Sequence, residues 1–329
     1  MFSPPPSPVS RVPATLARMS QPRIVVTGAT GFIGRALCTR IGDRGNWLAL
    51  GRSAPPATLP VLFRTVDLSK PLPRDVIPEG TDVLVHLAAH RGADNDVAGH
   101  FRGTAAATLN LSEAARRAGV KRMVLASSTT VYEPALPASR TLLEEDRRVH
   151  HRPLAYGFAK KWAEDAARLS ALLEPVAELW TLRIGMAVGP GMRAQSWLRT
   201  TIERLRSGEP YPLVGEQGHH LGLVALPDVV EALIHSIAAP IPAHTEPPGP
   251  VWNVVGEAMW EREVVEEVAA ALGVEATFCP PAGRDPFGWT DRAWSVAGDG
   301  GRWLREAGGI RPRPVRPVIE EVVRAHLAG

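Results

Sequence analysis

The stretch RIVVTGATGFIG, residues 23–34, decides the fold of this chain. It begins with a short run rich in β-branched residues, typical of a buried strand, and its end opens a stretch with helical periodicity. Glycines stand between the two, where the backbone must approach a pyrophosphate and a helix N-terminus can bind it. This order predicts a dinucleotide-binding unit, and a purely structural turn is the alternative. The predicted contacts come from Gly28, Thr30, Gly31, Phe32, Ile33 and Gly34.

Further apolar runs of strand length follow this unit and alternate with helical stretches. They are predicted at 47–51, 62–67, 82–89 and 121–128, and another apolar run begins at Leu179. Strands that are apolar on both faces and alternate with helices are typical of a parallel sheet covered on both sides. We therefore predict an α/β fold with a doubly wound parallel sheet, the Rossmann fold, which binds ligands at the carboxyl ends of its strands.

The composition changes at both ends of this pattern. Residues 1–21 are rich in Pro and Ser and lack acidic residues, which predicts a disordered tail, with a targeting segment as the alternative. Residues 22–190 carry the strand and helix alternation and are the predicted NADP-binding domain. Beyond it, Pro, Gly, Trp and His become frequent. Residues 191–329 are therefore expected to form mainly a smaller substrate-binding subdomain, with segments that return to the main sheet.

Charge and hydropathy exclude several classes of partner. The 37 Lys and Arg residues nearly balance the 34 Asp and Glu residues, which argues against a nucleic-acid-binding protein. No apolar run reaches the roughly 18 residues that cross a bilayer, so no membrane partner is expected. The two cysteines, Cys38 and Cys279, predict a reducing compartment, and we expect the cytoplasm. The pairs His150–His151 and His219–His220 form no complete ligand set, so no metal is predicted and surface loops are expected for both.

The second predicted strand ends in LALGRSAPP, which places Arg52 where an acidic residue would grip the ribose 2′-hydroxyl of NAD(H). A carboxylate there would repel a 2′-phosphate, whereas an arginine fork can bind it. NADP(H) is therefore the preferred cofactor and NAD(H) remains possible. A solvated loop arginine is the alternative interpretation.

Tyr156 and Lys160 stand four residues apart in AYGFAKKWAEDAA, one turn apart on a predicted amphipathic helix. A phenol is a poor acid or base at neutral pH unless a nearby cation stabilises the phenolate, and a lysine one turn away can do this. The spacing indicates proton transfer at an alcohol or carbonyl oxygen. Two fixed positions also occur by chance on helices, where the tyrosine simply packs.

Several motifs in order along the chain resemble the extended short-chain dehydrogenase/reductase family, also called the NAD-dependent epimerase/dehydratase family. They are TGATGFIG, VDLS with Asp67, HLAA at 86–89, VLASSTTVY at 124–132, YGFAK at 156–160 and LRIGMAVGPG at 182–191. The resemblance implies that Ser128 hydrogen-bonds the reacting oxygen, that Tyr156 moves its proton, and that Lys160 holds the ribose and lowers the pKa of the tyrosine.

The same resemblance assigns the rest of the site. It implies that Asp67 contacts the adenine amino group, and that the cofactor cleft is lined by Leu68, Leu87, Ala88 and Ala89. His86 is expected to be a core histidine. The residues expected near the substrate are His90, Thr129, Met186 and Arg284.

The chain departs from the family pattern at three places. Thr104 replaces the family's asparagine before the serine strand. Thr129 and Thr130 replace the Asp-Glu pair of the dehydratases, so dehydration is disfavoured. Met186 and Leu221 replace the polar pair that holds a diphosphate in nucleotide-sugar members, which weakens that substrate assignment, although Arg284 could supply one phosphate contact.

The sequence therefore predicts an NADP(H)-dependent oxidoreductase that reduces a ketone, or oxidises the alcohol, of a sugar-like or other polyfunctional small molecule. A nucleotide-sugar 4-epimerase with retained cofactor is the first alternative. A catalytically idle dinucleotide-sensing regulator is the alternative of another class. Since members of the family often dimerise through a helix pair, the helix with Tyr156 is the expected interface of a homodimer.

Overall fold

The computed structural model describes residues 22–42, 46–54, 59, 61–93, 95–132, 143, 155–173, 178–243, 245–282, 295, 297–308 and 311–328. The predicted tail at 1–21, the pair His150–His151 and the substrate candidate Arg284 lie outside these residues. In the part of the chain that the structure describes, no helix has the length and hydrophobicity needed to cross a bilayer.

A parallel sheet forms the centre of the molecule. Within the described residues its seven strands lie in the order β10, β6, β5, β4, β1, β2, β3, and every neighbouring pair is parallel. The strands are β1 (Arg23–Thr27), β2 (Asn46–Gly51), β3 (Leu62–Thr65), β4 (Val83–His86), β5 (Arg122–Ser128), β6 (Glu178–Ile184) and β10 (Val251–Val254). The predicted doubly wound parallel sheet is thus confirmed. Its order reverses between β1 and β4, and their carboxyl ends form the crevice where such sheets bind ligands.

Helices cover both faces of this sheet and bury its apolar side chains. One face packs against α1 (Phe32–Ile41), α6 (Leu226–Ala238) and α8 (Gly301–Glu306). The other packs against α3 (Ala107–Arg117) and α4 (Ala155–Leu173). Because both faces are covered, strands such as β4 are buried along their whole length.

Two predicted strands are shorter in the structure. β3 ends at Thr65 rather than at 67, and β4 ends at His86 rather than at 89. The amide of Leu87 still donates to the carbonyl oxygen of Thr27 at 3.2 Å, after which the chain leaves the sheet. The residues beyond β4 therefore lie at the mouth of the crevice rather than in the sheet.

The helix that precedes β5 is irregular. It begins as α2 (Val97–His100), widens into a π-helical segment at Phe101–Ala106, and continues as α3. The side chain of Asp96 caps its start by accepting from the amide of Gly99 at 2.9 Å. Widened turns of this kind are frequent at functional sites, and this one contains Thr104.

A second, smaller group of elements packs beside the carboxyl edge of the sheet. Strands β7 (Met186–Val188), β9 (His220–Ala225) and β11 (Glu257–Trp260) form a sheet in the order β11, β9, β7, and β8 (Tyr211–Pro212) pairs with β12 (Phe278–Cys279). Around them lie α5 (Trp197–Arg206), α7 (Glu261–Leu272) and α9 (Val315–Leu327). The chain passes from β6 to β7 at Gly185, where a side chain would meet the carbonyl oxygen of Gly222 at 2.6 Å.

The division into two domains near residue 190 stays a prediction.

The expectation that His219–His220 lies in a surface loop is wrong. His219 is fully buried, and its amide donates to Glu261 at 3.0 Å. His220 starts β9, and its ring lies 4.8 Å from that of Trp260. The positive φ at Gly218 turns the chain inward here, a feature that the apparent polarity of the pair concealed.

Candidate active site

The glycine turn lies directly after β1 at the crevice. A Cβ on Gly28, whose φ is +74°, would lie 2.8 Å from the amide nitrogen of Ala88, and one on Gly34 would lie 2.1 Å from the carbonyl oxygen of Gly28. Only glycine fits these two positions. The turn leaves the N-terminus of α1, with Gly31 as its cap, open to an anion. This geometry fits a dinucleotide, which the turn residues and the β4 end at Leu87 to Ala89 would hold.

The residues expected at the adenosine end lie on the same edge of the sheet. Asp67 accepts from the hydroxyl and the amide of Ser69 at 2.7 and 3.1 Å, which holds the pKa of its carboxyl below the ordinary value. The neighbouring Leu68 is buried. Arg52 is exposed after β2, and a Cβ on Gly51 would meet only a ring atom of Phe63 at 3.7 Å.

Tyr156 and Lys160 lie on the first turns of α4, and both face the end of β5. Lys160 is only 4% exposed, and its ammonium donates to the carbonyl oxygen of Ala126 at 2.7 Å. Its Nζ lies 5.9 Å from the centre of the Tyr156 ring. The β5 backbone therefore fixes the lysine beneath the tyrosine.

The electrostatic surroundings of Tyr156 favour its phenolate. Burial alone raises the pKa of the phenol. The positive charges of Arg91, Lys160 and Arg193 outweigh burial, and a hydrogen bond with Ser128 acts in the same direction, so the pKa lies below the usual range. Burial also holds the pKa of Lys160 below its ordinary value. A phenol with a lowered pKa is a competent proton donor and acceptor near neutral pH.

Ser128 is the last residue of β5 and is partly exposed toward Tyr156. Its hydroxyl oxygen accepts from the amide and the hydroxyl of Thr130 at 3.2 and 3.0 Å. These two bonds occupy its lone pairs, which leaves the hydroxyl proton to point at another acceptor. Thr129, one of the residues expected near the substrate, is buried and begins the short 3₁₀ turn after β5.

A buried ionic network lies beneath these residues, and nothing in the sequence motifs had pointed to it. Glu164, one turn after Lys160 on α4, binds Arg183 of β6 through bonds of 3.0 and 2.9 Å. Its carboxylate also accepts from the hydroxyl of Ser127. Arg183 donates in turn to the hydroxyl of Tyr132 at 2.8 Å, and that hydroxyl donates to Asn253 at 2.6 Å. The network ties α4 to three strands of the sheet.

His86 is a core histidine, as expected, and its ring occupies a single neutral tautomer. Thr108 donates its hydroxyl proton to the carbonyl oxygen of Thr104, so at 2.9 Å it accepts from Nε2 of His86. Nδ1 then accepts from the hydroxyl of Thr27 at 2.7 Å. Burial and the charge of Lys160 lower the pKa of His86 to about 3.

Thr104 and His90 lie together behind the catalytic candidates. The hydroxyl of Thr104 accepts from the amide of His90 at 3.0 Å, so this substitute for the family's asparagine holds the chain after β4. The ring of His90 lies 2.8 Å from a carboxylate oxygen of Asp96 and packs edge-on against His100. His100 is itself edge-on to Tyr156.

Two arginines that motif reasoning missed place positive charge near Tyr156. The guanidinium carbon of Arg91 lies 4.7 Å from the centre of the Tyr156 ring. Arg193 stands in the loop after β7, and its charge acts on both Tyr156 and Arg91. Arg91 is the second residue after the HLAA motif, so its position near the carboxyl end of β4 was the available signal.

The two positions expected to replace a diphosphate clamp differ in their surroundings. Met186 is partly exposed at the start of β7. Leu221, by contrast, is fully buried in the core of the smaller group of elements. Leu221 therefore cannot contact a ligand in the crevice.

Comparison with known proteins agrees with this geometry. The NAD dependent epimerase/dehydratase family matches residues 24–254, a span that contains the glycine turn, Ser128, Tyr156 and Lys160. The chain belongs to this family. The resemblance inferred from the sequence motifs is therefore confirmed, and the protein is an NAD(P)-dependent enzyme of the extended short-chain dehydrogenase/reductase type.

Three relatives show the range of the family around this chain. The dTDP-6-deoxy-L-talose 4-dehydrogenase (NAD(P)(+)) of Kitasatospora kifunensis is 30% identical over 314 residues, 87% of this chain and 93% of that protein. The 2-alkyl-3-oxoalkanoate reductase of Stenotrophomonas maltophilia (strain K279a) is 27% identical over 255 residues, 76% of each chain. The solved structure of MoeE5 in complex with UDP-glucuronic acid and NAD superposes with a TM-score of 0.76 at 27% identity, covering 93% of this chain and 99% of that one.

Proposed function

We propose that the protein is an NADP(H)-dependent oxidoreductase that interconverts a ketone and a secondary alcohol on a sugar-like or other polyfunctional small molecule. The observation that carries this proposal is the position of Tyr156, which lies above the buried ammonium of Lys160 and next to Ser128. Two of the similar proteins, a 4-dehydrogenase and a 3-oxoalkanoate reductase, are named for this type of reaction.

The roles of the residues follow from their donors and charges. The bound nicotinamide supplies or accepts the hydride. Ser128 donates a hydrogen bond to the reacting oxygen and keeps its proton, because Thr130 occupies its lone pairs. Tyr156 gives its proton to the same oxygen in reduction and takes it back in oxidation. Lys160 stabilises the phenolate that forms, and its own position is fixed by Ala126.

The preference for NADP(H) rests on Arg52. Its side chain is exposed beyond β2, at the edge of the crevice where a 2′-phosphate would lie, and Gly51 leaves that space open. Its charge also acts on Asp67, which is assigned to the adenine end. A guanidinium binds a phosphate through two parallel hydrogen bonds, whereas NAD(H) offers only hydroxyl groups there.

The proposed assembly is a homodimer through the outer surface of α3 and α4. This surface exposes large apolar side chains that a monomer would leave in water, and the rings of Phe101 and Trp162 pack edge-on there at 5.4 Å. The exposed apolar residues are Phe101, Leu109, Trp162, Leu169 and Leu172.

A nucleotide-sugar 4-epimerase is the second candidate, because the similar MoeE5 structure holds UDP-glucuronic acid and NAD. The buried Leu221 argues against a diphosphate clamp at that position. An epimerase would retain its cofactor and leave no net change in it, whereas a reductase oxidises added NADPH.

Absorbance at 340 nm tests the proposal. We expect net oxidation of added NADPH with at least one member of a panel of sugar-like and oxo-acid ketones. Tyr156→Phe should lower the rate with that ketone by roughly two to four orders of magnitude, the usual range for a general acid. Undiminished turnover in Tyr156→Phe would refute the assigned role. Epimerisation of a nucleotide sugar without net NADPH loss would favour the second candidate.

A further inference from the structure

A cavity of about 920 Å³ lies at the amino edge of the main sheet, between the C-terminal end of α6, the segment 239–243 and α8. Arg122, the first residue of β5, donates to the carbonyl oxygens of Ile237 and Ala239 at this end of α6, at 3.1 and 2.7 Å. Ser128 is the last residue of the same strand, and a strand of seven residues is about 20 Å long. The cavity is therefore separate from the candidate active site, and its volume is typical of small-molecule sites.

One wall of this cavity is apolar. It is formed by Pro240, Ile241 and Pro242, which follow α6 in the chain. Proline has no amide proton and a fixed φ, so this wall presents hydrocarbon and few backbone donors. The carbonyl oxygen of Pro242 accepts from the amide of Thr245 at 2.9 Å, which closes a turn just after the wall. The wall can thus cover the apolar part of a ligand at a small ordering cost.

The wall that α8 provides carries positive charge. Glu306 is the only acid among the described lining residues, and it forms an ion pair with Arg302 at 3.0 Å. Arg305 also lines the cavity and is exposed. Within the described part of the chain, its guanidinium has neither an ion pair nor a hydrogen bond. Asp299 precedes α8 and accepts from the amide of Gly301 at 2.6 Å. One positive charge therefore remains uncompensated at the cavity.

His235 adds a neutral polar group to the same cavity. Its ring lies 5.6 Å from that of Trp252 and 6.2 Å from that of Trp180, so two tryptophans hold it in place. Burial and the charge of Arg122 hold the pKa of His235 below its ordinary value. The neutral ring has one donor and one acceptor, and neither is hydrogen-bonded to a residue that the structure describes. The cavity therefore offers an imidazole that the fold itself leaves without a partner.

An uncompensated cation opposite an apolar wall matches an anion with an apolar body. We propose that this cavity binds an amphipathic organic acid, whose carboxylate pairs with Arg305 and whose hydrocarbon part lies against Pro240, Ile241 and Pro242, with His235 as a second polar partner. A planar carboxylate fits the guanidinium fork and carries the one charge that the cavity lacks. A phosphate monoester brings nearly two negative charges, of which one would stay uncompensated.

This inference concerns a second site and is independent of the proposed reaction. The cavity lies beside the first residue of β5, whereas Ser128 is at its far end, so a ligand bound here is not the substrate of the crevice. A ligand that binds only the folded chain shifts the folding equilibrium toward the native state. The organic acid is thus a stabilising ligand of the sheet edge opposite the catalytic one.

Calorimetry on the full-length, NADP⁺-loaded protein tests the inference without requiring turnover. The main probe is octanoate, which has both the carboxylate and the apolar body. Three comparison probes each change one part: octan-1-ol lacks the charge, acetate lacks the apolar body, and octyl phosphate replaces the carboxylate. We expect octanoate to bind at one site per chain, at least about tenfold more tightly than each of the other three, as a charge-assisted hydrogen bond combined with apolar burial provides.

Two variants locate the bound octanoate. Arg305→Met should raise its Kd about tenfold or more, and Ile241→Asp should do the same by placing a negative charge on the apolar wall. Arg117→Met removes one exposed charge at the end of α3 and should keep the Kd of the parent protein. Undetectable binding of octanoate overturns the proposal, as does equal binding of octan-1-ol or acetate. Tighter binding of octyl phosphate overturns the carboxylate assignment. An unchanged Kd in Arg305→Met would place octanoate elsewhere and also overturns the proposal.

Discussion

Arg183 binds Glu164 through two parallel hydrogen bonds in a layer directly beneath the candidate catalytic residues. Both side chains are almost fully buried, with exposed fractions of 5% and 6%. Glu164 follows Lys160 by one helical turn, so the pair fixes the helix that also carries Tyr156. The pair therefore connects the stability of the fold to the geometry of the site.

Removal of either Arg183 or Glu164 should destabilise the fold, because it leaves the other buried charge without its counterion. We expect Arg183→Met to lower the free energy of unfolding by about 3 to 5 kcal/mol, measured by urea denaturation with tryptophan fluorescence. Arg206→Met is the matched control, since Arg206 pairs with Glu203 on an exposed surface and should change stability by less than about 1 kcal/mol. Equal effects of the two variants would contradict this account.

The buried network shows what the sequence could not predict. The glycine turn, the individual strands and the Tyr156–Lys160 pair follow from local patterns, because they depend on residues near one another in the chain. The partners Glu164, Arg183 and Asn253 come from three separate elements, and Tyr132 follows the short turn after β5. Each looks ordinary in its own segment, and only the sheet order brings them together.

The same distinction applies to the site itself. Gly28 and Gly34 could be assigned from spacing, and the structure shows close backbone approaches at both. Arg91 and Arg193 follow different strands, and no local pattern relates them. His219 was misplaced because its polarity alone predicts exposure, whereas the chain at this point runs inside the fold, where the backbone amide of His219 donates to Glu261.

The pH dependence of the reaction should reflect the cations at Tyr156. Since the charge of Arg91 lowers the pKa of the phenol, Arg91→Met should raise it. Oxidation of an alcohol requires the phenolate, so the rising limb of its pH profile should move to higher pH in Arg91→Met. The phenolate absorbance gives a second measurement, since only three tyrosines are present and Tyr156→Phe identifies the relevant one. A shift to lower pH, or none, would contradict the assigned charge effect.

Because of His86, the free energy of unfolding should decrease in mild acid. Its pKa is about 3 in the folded protein against an ordinary value of 6.5, so between these values the unfolded chain binds more protons. Stability from this group is present above pH 6.5 and decreases as the pH falls toward 3. For each pH unit below the pKa of the unfolded chain, one extra bound proton lowers the free energy of unfolding by about 1.4 kcal/mol. Between pH 7.5 and pH 5 we therefore expect the contribution of His86 to fall by about 2 kcal/mol.

Urea denaturation of the wild-type protein and of His86→Gln at the two pH values isolates this effect. The variant loses the titrating ring but keeps a side chain that can hydrogen-bond Thr27 or Thr108. Its stability should decline less on acidification than that of the wild-type protein, whatever its absolute stability. Parallel declines would show that His86 is not responsible.

The outer surface of α3 and α4 should determine the oligomeric state. Trp162 is 44% exposed and packs against Phe101 in the apolar patch, and a charge there would have to be buried in a dimer. We expect Trp162→Glu to be a monomer by light scattering under conditions in which the wild-type protein is a dimer. Leu62→Glu is the control, because Leu62 is 74% exposed on the edge strand β3, outside the proposed interface, and the substitution should leave the mass unchanged. A wild-type monomer would refute the proposed interface.

Arg52 should determine the binding preference for NADPH over NADH. A guanidinium that binds the 2′-phosphate contributes only to NADPH, so Arg52→Ala should raise the Kd for NADPH by roughly one to two orders of magnitude and leave the Kd for NADH nearly unchanged. Fluorescence titration of each reduced cofactor measures both constants without a substrate. Arg117→Met serves as the control for loss of one positive charge, because it lies at the end of α3 away from the crevice. If Arg52→Ala raised the Kd values for NADPH and NADH equally, Arg52 would interact with the part of the dinucleotide that the two cofactors share. Its position beyond Gly51 at the end of β2 would then reflect a general attraction for the cofactor rather than selection of NADPH.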